Sequence, residues 1–178
     1  FGKEYFDGDR EYGYGGYKYD GRWITVATDI IDHFGLKPGA KILDVGCAKG
    51  FLVYDLVNQG MDVYGIDVST YALDNAIPEI HSRLSIGSCD HIEFEDNSFD
   101  AVLAINTIHN LDREGCIRSC KEIERVAPGK GFIQVDSYYT EEQKNIFESW
   151  VLTAEYHGYP KDWLNVFREA GYTGDWFW

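Results

Sequence analysis

The sequence predicts a single α/β domain in which helices cover both faces of a mostly parallel sheet. Three observations lead to this prediction. The chain has 178 residues, of which 44% are hydrophobic, so it can bury one sizeable core. Short apolar runs alternate with segments in which apolar residues recur at helical spacing. Neither an internal repeat nor a linker divides the chain.

The predicted elements follow one another along the chain. Apolar residues at helical spacing predict a first helix from Trp23 to about Gly35, and Lys37-Pro38-Gly39 forms a turn after it. Further helices are predicted at 51–58, 69–76, 113–125, from the capping box at 140–143 onward, and at 160–170. Strands are predicted at 41–45, 61–66, 84–86, 98–105, 131–136 and, cut short, at 171–178.

Charge and hydropathy exclude two classes of partner. The chain carries 16 basic and 30 acidic residues, a formal net charge of −14. Proteins bind polyanions through Lys and Arg contacts that release counterions, so a nucleic-acid partner is not expected. No run of about 18 apolar residues occurs, so no membrane span is expected either.

The four cysteines, Cys47, Cys89, Cys116 and Cys120, lack a disulfide-like spacing, which favours reduced thiols in the cytoplasm. Cys116 and Cys120 could share one face of a helix, as metal ligands do. No His or Cys pair lies nearby to complete four ligands. We therefore expect these two thiols to pack in the core, and we expect no metal.

The stretch I-L-D-V-G-C-A-K-G at 42–50 carries the most chemical information. A strand that ends in glycines and leads into a helix presents backbone N–H groups to a ligand. The spacing of Gly46 and Gly50 does not fit the dinucleotide pattern G-x-G-x-x-G. Asp44 could simply cap the turn, but it would also suit an ammonium or sulfonium group. Asp67 ends the next strand, where a carboxylate can accept hydrogen bonds from both hydroxyls of a ribose. A ribose, no phosphate and a cationic amino-acid arm describe S-adenosylmethionine.

Several stretches together resemble the class I S-adenosylmethionine-dependent methyltransferases, in particular small bacterial proteins often labelled methyltransferase type 11. The likeness covers roughly residues 36–172. It is carried, in order, by the stretches at 36–50, 65–69, 94–102, 106–111, 122–126 and 163–172. The resemblance implies a Rossmann-like three-layer sandwich with a mostly parallel seven-stranded sheet, whose last strand is truncated here. Residues 23–178 would form the methyltransferase domain, and residues 1–22 a lid.

The resemblance also implies which residues contact the cofactor. Those around the methionyl arm would be Asp44, Gly46, Cys47, Ala48 and Gly50. Those around the nucleoside and the sulfonium would be Asp67, Val68, Ser88, Cys89 and Asn106. Two positions depart from the family, because Ala48 replaces its middle glycine and Ser88 its common Asp. Both departures could lower the affinity for the cofactor.

The acceptor side is less defined by the sequence. His109 follows the fourth strand, where a neutral imidazole could take a proton from a hydroxyl, although a purely structural histidine is equally compatible. Asp136 and Tyr138 end the fifth strand, and either could touch the acceptor. Asn106 is followed by Thr-Ile-His and not by the Pro-Pro-Tyr of enzymes that methylate amino groups of nucleic-acid bases. A small-molecule acceptor is favoured, with a lean toward oxygen that rests on His109.

The Tyr- and Gly-rich stretch at 12–23 predicts a lid over cofactor and substrate. It is rich in aromatics, unlike disordered tails, and Gly15-Gly16 can form a tight hairpin turn. Tyrosines suit such a lid because they offer a flat apolar face and a hydroxyl; the ones expected to contact the substrate are Tyr14, Tyr17 and Tyr19. We expect Tyr17 to take part in catalysis as well. Arg22 could clamp the methionyl carboxylate or an anionic group of the acceptor. The alternative is an ordinary hairpin or aromatic packing under the domain.

The same stretch resembles the start of small methyltransferases associated with bacterial surface-polysaccharide gene clusters, which implies a sugar- or phosphate-containing acceptor. The sequence thus predicts a cytoplasmic S-adenosylmethionine-dependent methyltransferase, monomeric or homodimeric, that O-methylates such a metabolite. One alternative is a non-catalytic protein that binds the cofactor and acts in regulation. An oxidoreductase would need Tyr-x-x-x-Lys, whereas Lys144 lies one residue too far from Tyr139.

Overall fold

A parallel sheet of six strands forms the centre of the computed structural model, which describes all residues Phe1–Trp178. The strands, β1 to β6 in chain order, are Lys41–Val45, Asp62–Asp67, Leu84–Ile86, Ala101–Ile105, Gly131–Gln134 and Asp175–Phe177. Their spatial order is β3-β2-β1-β4-β5-β6. The direction of winding reverses between β1 and β4, so the carboxyl ends of these strands flank a crevice suited to a ligand.

The Rossmann-like α/β class is confirmed, whereas the count of seven strands is wrong by one. The stretch predicted as the last strand, 171–178, begins with a turn, because Gly171 ends the preceding helix in the left-handed conformation. Only Asp175–Phe177 are left to pair, and they extend the sheet alongside β5. All six stretches predicted as strands are thus paired in the sheet, and the seventh strand that the resemblance implied is absent.

Seven α-helices pack around the sheet. In chain order, α1 to α7 are Lys3–Asp7, Trp23–Phe34, Phe51–Asn58, Thr70–Asp74, Arg113–Val126, Glu141–Trp150 and Pro160–Ala170. Shorter 3-10 turns lie at Arg10–Tyr12, Pro78–Arg83 and Ile108–Asn110. The capping box predicted at 140–143 is half formed, since the Thr140 side chain accepts from the N–H of Gln143. None of these helices has the length and apolar character needed to cross a bilayer.

Two buried clusters hold the layers together. Because side chains alternate along a strand, Ile42 points to one face of the sheet and Leu43 to the other. The larger cluster packs α5 and α7 on one face, with Trp163 fully buried in it. Cys116 and Cys120 lie in this cluster and pack as expected. The second cluster packs α2 and α3 on the opposite face.

The N-terminal segment, residues 1–22, does not contain the predicted hairpin. Gly15 and Gly16 both have positive φ, 71° and 102°, as a tight turn requires. The residues on either side of that turn form no strands. Instead, the N–H groups of Tyr14 and Tyr17 donate to the carbonyls of Tyr5 and Phe6 at 2.8 Å. The segment thus folds back onto α1 as an aromatic loop.

Candidate active site

The turn after β1 brings backbone into the crevice. Gly46 has φ of 77°, and a Cβ there would lie 2.3 Å from Oγ1 of Thr107. That hydroxyl donates to the carbonyl of Val45 at 3.0 Å, so it is fixed in place. Ala48, at the family's glycine position, keeps a left-handed φ of 50°. Its N–H donates to Oδ2 of Asp67 at 2.8 Å, which links the turn to the end of β2.

Asp44 and Asp67 make the crevice electronegative. Asp44 is 5% exposed, and burial together with the charge of Asp67 raises its pKa to about 7. No hydrogen bond lowers that pKa. Burial also raises the pKa of Asp67, although the N–H groups of Ser69 and Ala48 act in the opposite direction. A buried carboxylate without a partner is costly, so this site favours a cationic ligand such as an ammonium or sulfonium.

A first cavity, here called the Asp67 cavity, has a volume of about 120 Å³. The predicted cofactor residues that line it are Gly46, Ala48, Asp67, Val68, Ser88, Cys89 and Asn106. The Ser88 hydroxyl is engaged, because it donates to Oδ1 of Asp90 at 2.5 Å. Cys89 is buried, and its sulfur accepts from the hydroxyl of Ser119 at 3.2 Å.

Asn110 also lines the Asp67 cavity, and sequence reasoning missed it. Its Oδ1 atom is buried and has no hydrogen-bond partner, which makes it a free acceptor beside this cavity. An adenine amino group is a donor that it could satisfy. Asn110 falls in the quoted 106–111 stretch, but nothing in the sequence distinguishes its side chain from that of an ordinary polar turn residue.

A second cavity, here called the Asp44 cavity, has a volume of about 140 Å³. The predicted site residues lining it are Asp44, Gly46, Cys47, Ala48, Asn106, Tyr14, Tyr17 and Arg22. Trp23, which the sequence did not single out, lines it too. Gly50 lines neither cavity; a Cβ at that residue would lie 2.4 Å from Cδ1 of Ile80, so it serves the close turn into α3.

A third cavity, here called the His109 cavity, has a volume of about 230 Å³. His109 is 6% exposed, and its Nδ1 atom is buried without a hydrogen bond. Burial lowers the pKa of His109, while the charge of Asp136 acts in the opposite direction. Oδ2 of Asp136 lies 3.8 Å from Nδ1 of His109. The imidazole is therefore neutral at pH 7, with a carboxylate beside it that would stabilise the protonated form.

Tyr14 and Asn106 border all three cavities. Asn106 follows β4 with a left-handed φ of 53°, and its N–H donates to the carbonyl of Gln134 at 3.0 Å. The ring of Tyr14 lies 4.5 Å from that of Tyr17 and 5.9 Å from that of Phe6, centroid to centroid. The predicted cofactor side and the predicted acceptor side of the cleft thus adjoin at these two residues.

The structure does not bring every predicted site residue to these cavities. The Tyr19 hydroxyl donates to Oδ1 of Asp55 at 2.6 Å and lines none of the three. Tyr138 is buried, with its hydroxyl 3.0 Å from Nδ1 of His157, and it lines none of them either. Tyr17 lines the Asp44 cavity and not the His109 cavity.

Arg22 lines the Asp44 cavity, but its guanidinium is already paired. Nε and Nη2 donate to the Asp20 carboxylate, the latter at 2.6 Å, and the Arg22 side chain is 68% exposed. Arg10 is the basic side chain at the His109 cavity, and its guanidinium donates to the carbonyl of Gly13. Sequence reasoning did not single out Arg10, because its place opposite His109 depends on how the N-terminal segment folds back.

A partly buried ion pair fastens the N-terminal segment to the turn after β1. The Lys49 ammonium, on a side chain 8% exposed, donates to both oxygens of Asp7 at 2.8 and 2.7 Å and to the carbonyl of Tyr17 at 3.0 Å. The Tyr71 hydroxyl donates to Asp7 as well, at 2.8 Å. The hydrogen bond from Lys49 lowers the pKa of Asp7. The pair joins α1 directly to the turn that contains Ala48.

Comparisons with known proteins agree with this geometry. Residues 43–134, more than half of the chain, match the family model described as a methyltransferase domain. Phosphoethanolamine N-methyltransferase 3 of Arabidopsis thaliana is 34% identical over 102 residues, which cover 53% of this chain and 21% of that protein. Cycloartenol-C-24-methyltransferase 1 of Oryza sativa subsp. japonica is 33% identical over 143 residues, 68% of this chain and 40% of that one.

Among solved structures, a protein of Anabaena variabilis described as a methyltransferase from an antibiotic biosynthesis pathway is similar. It is 28% identical, with a TM-score of 0.52, and the match covers 58% of this chain and 41% of that one. The chain spans between about a fifth and two fifths of the length of the two plant relatives.

The chain belongs to the methyltransferase domain family. Its class is that of the class I S-adenosylmethionine-dependent methyltransferases, as the sequence predicted. S-adenosylmethionine is the cofactor of this class, and the acidic residues at the carboxyl ends of β1 and β2, which border the crevice, fit its cationic arm and its ribose.

Proposed function

We propose that the protein transfers a methyl group from S-adenosylmethionine to a hydroxyl of a small sugar- or phosphate-containing metabolite. The observation that carries the proposal is the buried, unpartnered Nδ1 of His109, which faces Asp136 in a cavity adjoining both cofactor cavities. We also propose a cytoplasmic location, which its four free, buried cysteines support. The oligomeric state that we propose is a monomer or a homodimer.

Each part of the cofactor has candidate residues in the crevice. Asp44 would hold the ammonium and face the sulfonium, and Asp67 would accept from the ribose hydroxyls. Val68, Cys89 and Asn110 would enclose the adenine. When bound, S-adenosylmethionine supplies a methyl group that its positive sulfur already activates. The chain's own task is therefore to align the acceptor and exclude water.

His109 would act as the general base. Its free imidazole nitrogen would take the proton of the acceptor hydroxyl, and the Asp136 carboxylate would stabilise the resulting imidazolium. When bound, S-adenosylmethionine would supply the methyl group to the acceptor oxygen and, with its sulfur–methyl bond broken, leave as S-adenosylhomocysteine. Asn106 and Tyr14 would position the acceptor, since they border both sides of the cleft. The aromatic N-terminal segment would act as the lid that keeps water out.

An anionic group on the acceptor is supported by Arg10. This side chain lines the His109 cavity and takes part in no ion pair with an acidic residue. A guanidinium suits a phosphate because its fork of N–H donors matches two phosphate oxygens. One of the similar proteins is named for phosphoethanolamine, which is a phosphate-containing acceptor.

Methyl transfer can be tested with paired acceptors. The protein would be incubated with methyl-labelled S-adenosylmethionine and a panel in which each phosphorylated alcohol, amino alcohol and sugar has an unphosphorylated partner. We expect labelled product from phosphorylated members, with an O-methyl group by mass spectrometry and NMR. Transfer to nitrogen would contradict the proposed O-methylation. A preference for the unphosphorylated partners would contradict the role of Arg10.

A further inference from the structure

The indole N–H of Trp23 is a buried donor that makes no hydrogen bond of ordinary geometry, although the Tyr17 hydroxyl lies near it. Trp23 is the first residue of α2, and its side chain lines the Asp44 cavity. The Nε1 atom of this side chain has no hydrogen-bond partner. Leaving a buried donor unsatisfied is costly, and such groups are rare in folded proteins. An orphan donor in the wall of a ligand cavity is most simply explained by an acceptor that arrives with the ligand.

We propose that the indole N–H of Trp23 and the hydroxyl of Tyr17 together bind the carboxylate of the cofactor's amino-acid arm. The inference rests on the cofactor assignment made above, and it adds residues that neither the sequence motif nor the family comparison assigns. The two side chains would form the carboxylate half of a receptor for a zwitterion, with Asp44 as the ammonium half.

Tyr17 is placed for this role. Its ring stacks on Phe51 with centroids 4.7 Å apart, and it lines the Asp44 cavity beside Trp23. Burial, and then the charge of Asp44, raise the pKa of Tyr17 to about 12, while the nearby Trp23 indole acts in the opposite direction. The hydroxyl therefore stays protonated at neutral pH and can donate to a carboxylate.

Neutral donors suit this cavity better than a cation does. A guanidinium inside the cavity would pair with Asp44 and compete with the ammonium of the ligand. Arg22, the basic residue at the edge, is held outward by its two-pronged contact with Asp20. The indole and the phenol bind an anion without neutralising Asp44, so both halves of the zwitterion are recognised at once.

Calorimetric titration can isolate the carboxylate. The wild type, Trp23→Phe and Tyr17→Phe would each be titrated with S-adenosylhomocysteine and with its decarboxylated analogue S-adenosyl-3-thiopropylamine, which keeps the ammonium. We expect Trp23→Phe to weaken binding of S-adenosylhomocysteine about tenfold or more, because a hydrogen bond to a charged group is lost. Binding of the analogue should change less than about twofold. Tyr17→Phe should show the same selective loss.

One matched variant serves as a control, and another tests the rival residue. Trp176→Phe alters an exposed indole on β6 and should leave the two affinities within about threefold of wild type. Arg22→Gln removes the exposed ion pair with Asp20, and the inference predicts no selective loss of affinity for S-adenosylhomocysteine. Equal losses for both ligands in Trp23→Phe would overturn the inference, since the indole would then act by packing. A selective loss in Arg22→Gln would overturn it in favour of the guanidinium. If the wild type binds neither ligand, the cofactor assignment itself fails.

Discussion

The cofactor side and the acceptor side of the cleft are built from different kinds of structure. The cofactor side consists of strand ends and the turn at 46–50, in which backbone hydrogen bonds fix Asp67 and Ala48. The acceptor side is formed largely by the folded-back N-terminal segment and the irregular stretch at 151–158, where Leu152 is 55% exposed. Rigid strand ends hold functional side chains in a precise position, whereas loops differ more between proteins and so change which ligand is accepted.

The largest effect that separates the two sides is expected at His109. His109→Gln should lower turnover of a phosphorylated acceptor by about 10²–10⁴-fold, the usual contribution of a general base. Affinity for S-adenosylhomocysteine should stay unchanged, because His109 lines neither cofactor cavity. In the wild type, kcat should rise with pH while the imidazole loses its proton, and it should then level off. The midpoint of this rise should lie below the ordinary pKa of histidine, because burial lowers the pKa of His109. Unaltered turnover in the variant would make His109 structural.

Asp44 should dominate the cofactor side. Asp44→Asn is expected to weaken S-adenosylhomocysteine binding about hundredfold, because the ligand ammonium would lose its buried partner. Wild-type affinity should fall as the pH drops below about 7, where Asp44 takes up a proton. Calorimetric titration across pH 5.5–8.5 measures the affinity lost in Asp44→Asn and the pH dependence of the wild-type affinity. A pH-independent affinity in the wild type would contradict the role of this carboxylate.

The same substitution should stabilise the protein without ligand. The pKa of Asp44 is raised to about 7 in the folded state, so the folded protein holds the Asp44 proton more tightly than the unfolded chain does. The free energy of unfolding is therefore highest below the unfolded pKa of Asp44 and falls as the pH rises toward about 7. Asp44→Asn removes the buried charge, so it should raise the free energy of unfolding at pH 8 by about 1–3 kcal/mol relative to the wild type. At pH 4 the two proteins should have similar stability. Urea titration at both pH values makes the comparison.

Gly46→Ala tests the close approach between the β1 turn and the start of the acceptor side. The new Cβ would lie 2.3 Å from Oγ1 of Thr107, in a residue with φ of 77°. We expect a loss of about 2 kcal/mol in unfolding free energy, together with weaker cofactor binding. Gly39→Ala is the matched control, with φ of 84° and no atom within 4 Å of its Cβ. Thr107→Ala in the Gly46→Ala background should recover part of the loss.

A smaller effect is expected at the ion pair between the N-terminal segment and the turn. Lys49→Met should lower the free energy of unfolding by about 1 kcal/mol. This loss is smaller than the loss expected for a fully buried ion pair, because the Asp7 side chain is 24% exposed. Cleavage within residues 1–22 by limited proteolysis should become faster. Lys144→Met, which removes an exposed pair with Glu148, should change neither property. Equal cleavage rates in wild type and Lys49→Met would show that the pair does not hold the segment.

The contrast between the two sides also explains what the sequence revealed. The positions of Asp44, Gly46 and Asp67 in the crevice could be predicted because a strand followed by a glycine turn has a local sequence signature. Arg10 and Trp23 carry no such signature. The proposed role of Arg10 depends on how the N-terminal segment folds, since its backbone bonds go to α1 and not into the expected hairpin. The proposed role of Trp23 depends on an unpartnered side-chain atom that only the structure reveals. Tyr19 and Tyr138 had suitable chemistry, but their hydroxyls bond Asp55 and His157 outside the cavities.

The most direct test of the central claim is calorimetric titration with S-adenosylhomocysteine of the wild type and of Asp67→Ala. Asp67 joins the turn to the ribose end of the crevice, and the account predicts micromolar binding that Asp67→Ala weakens by about 1–3 kcal/mol. An affinity that Asp67→Ala leaves unchanged, or no binding by the wild type, would contradict the placement of the cofactor between β1 and β2.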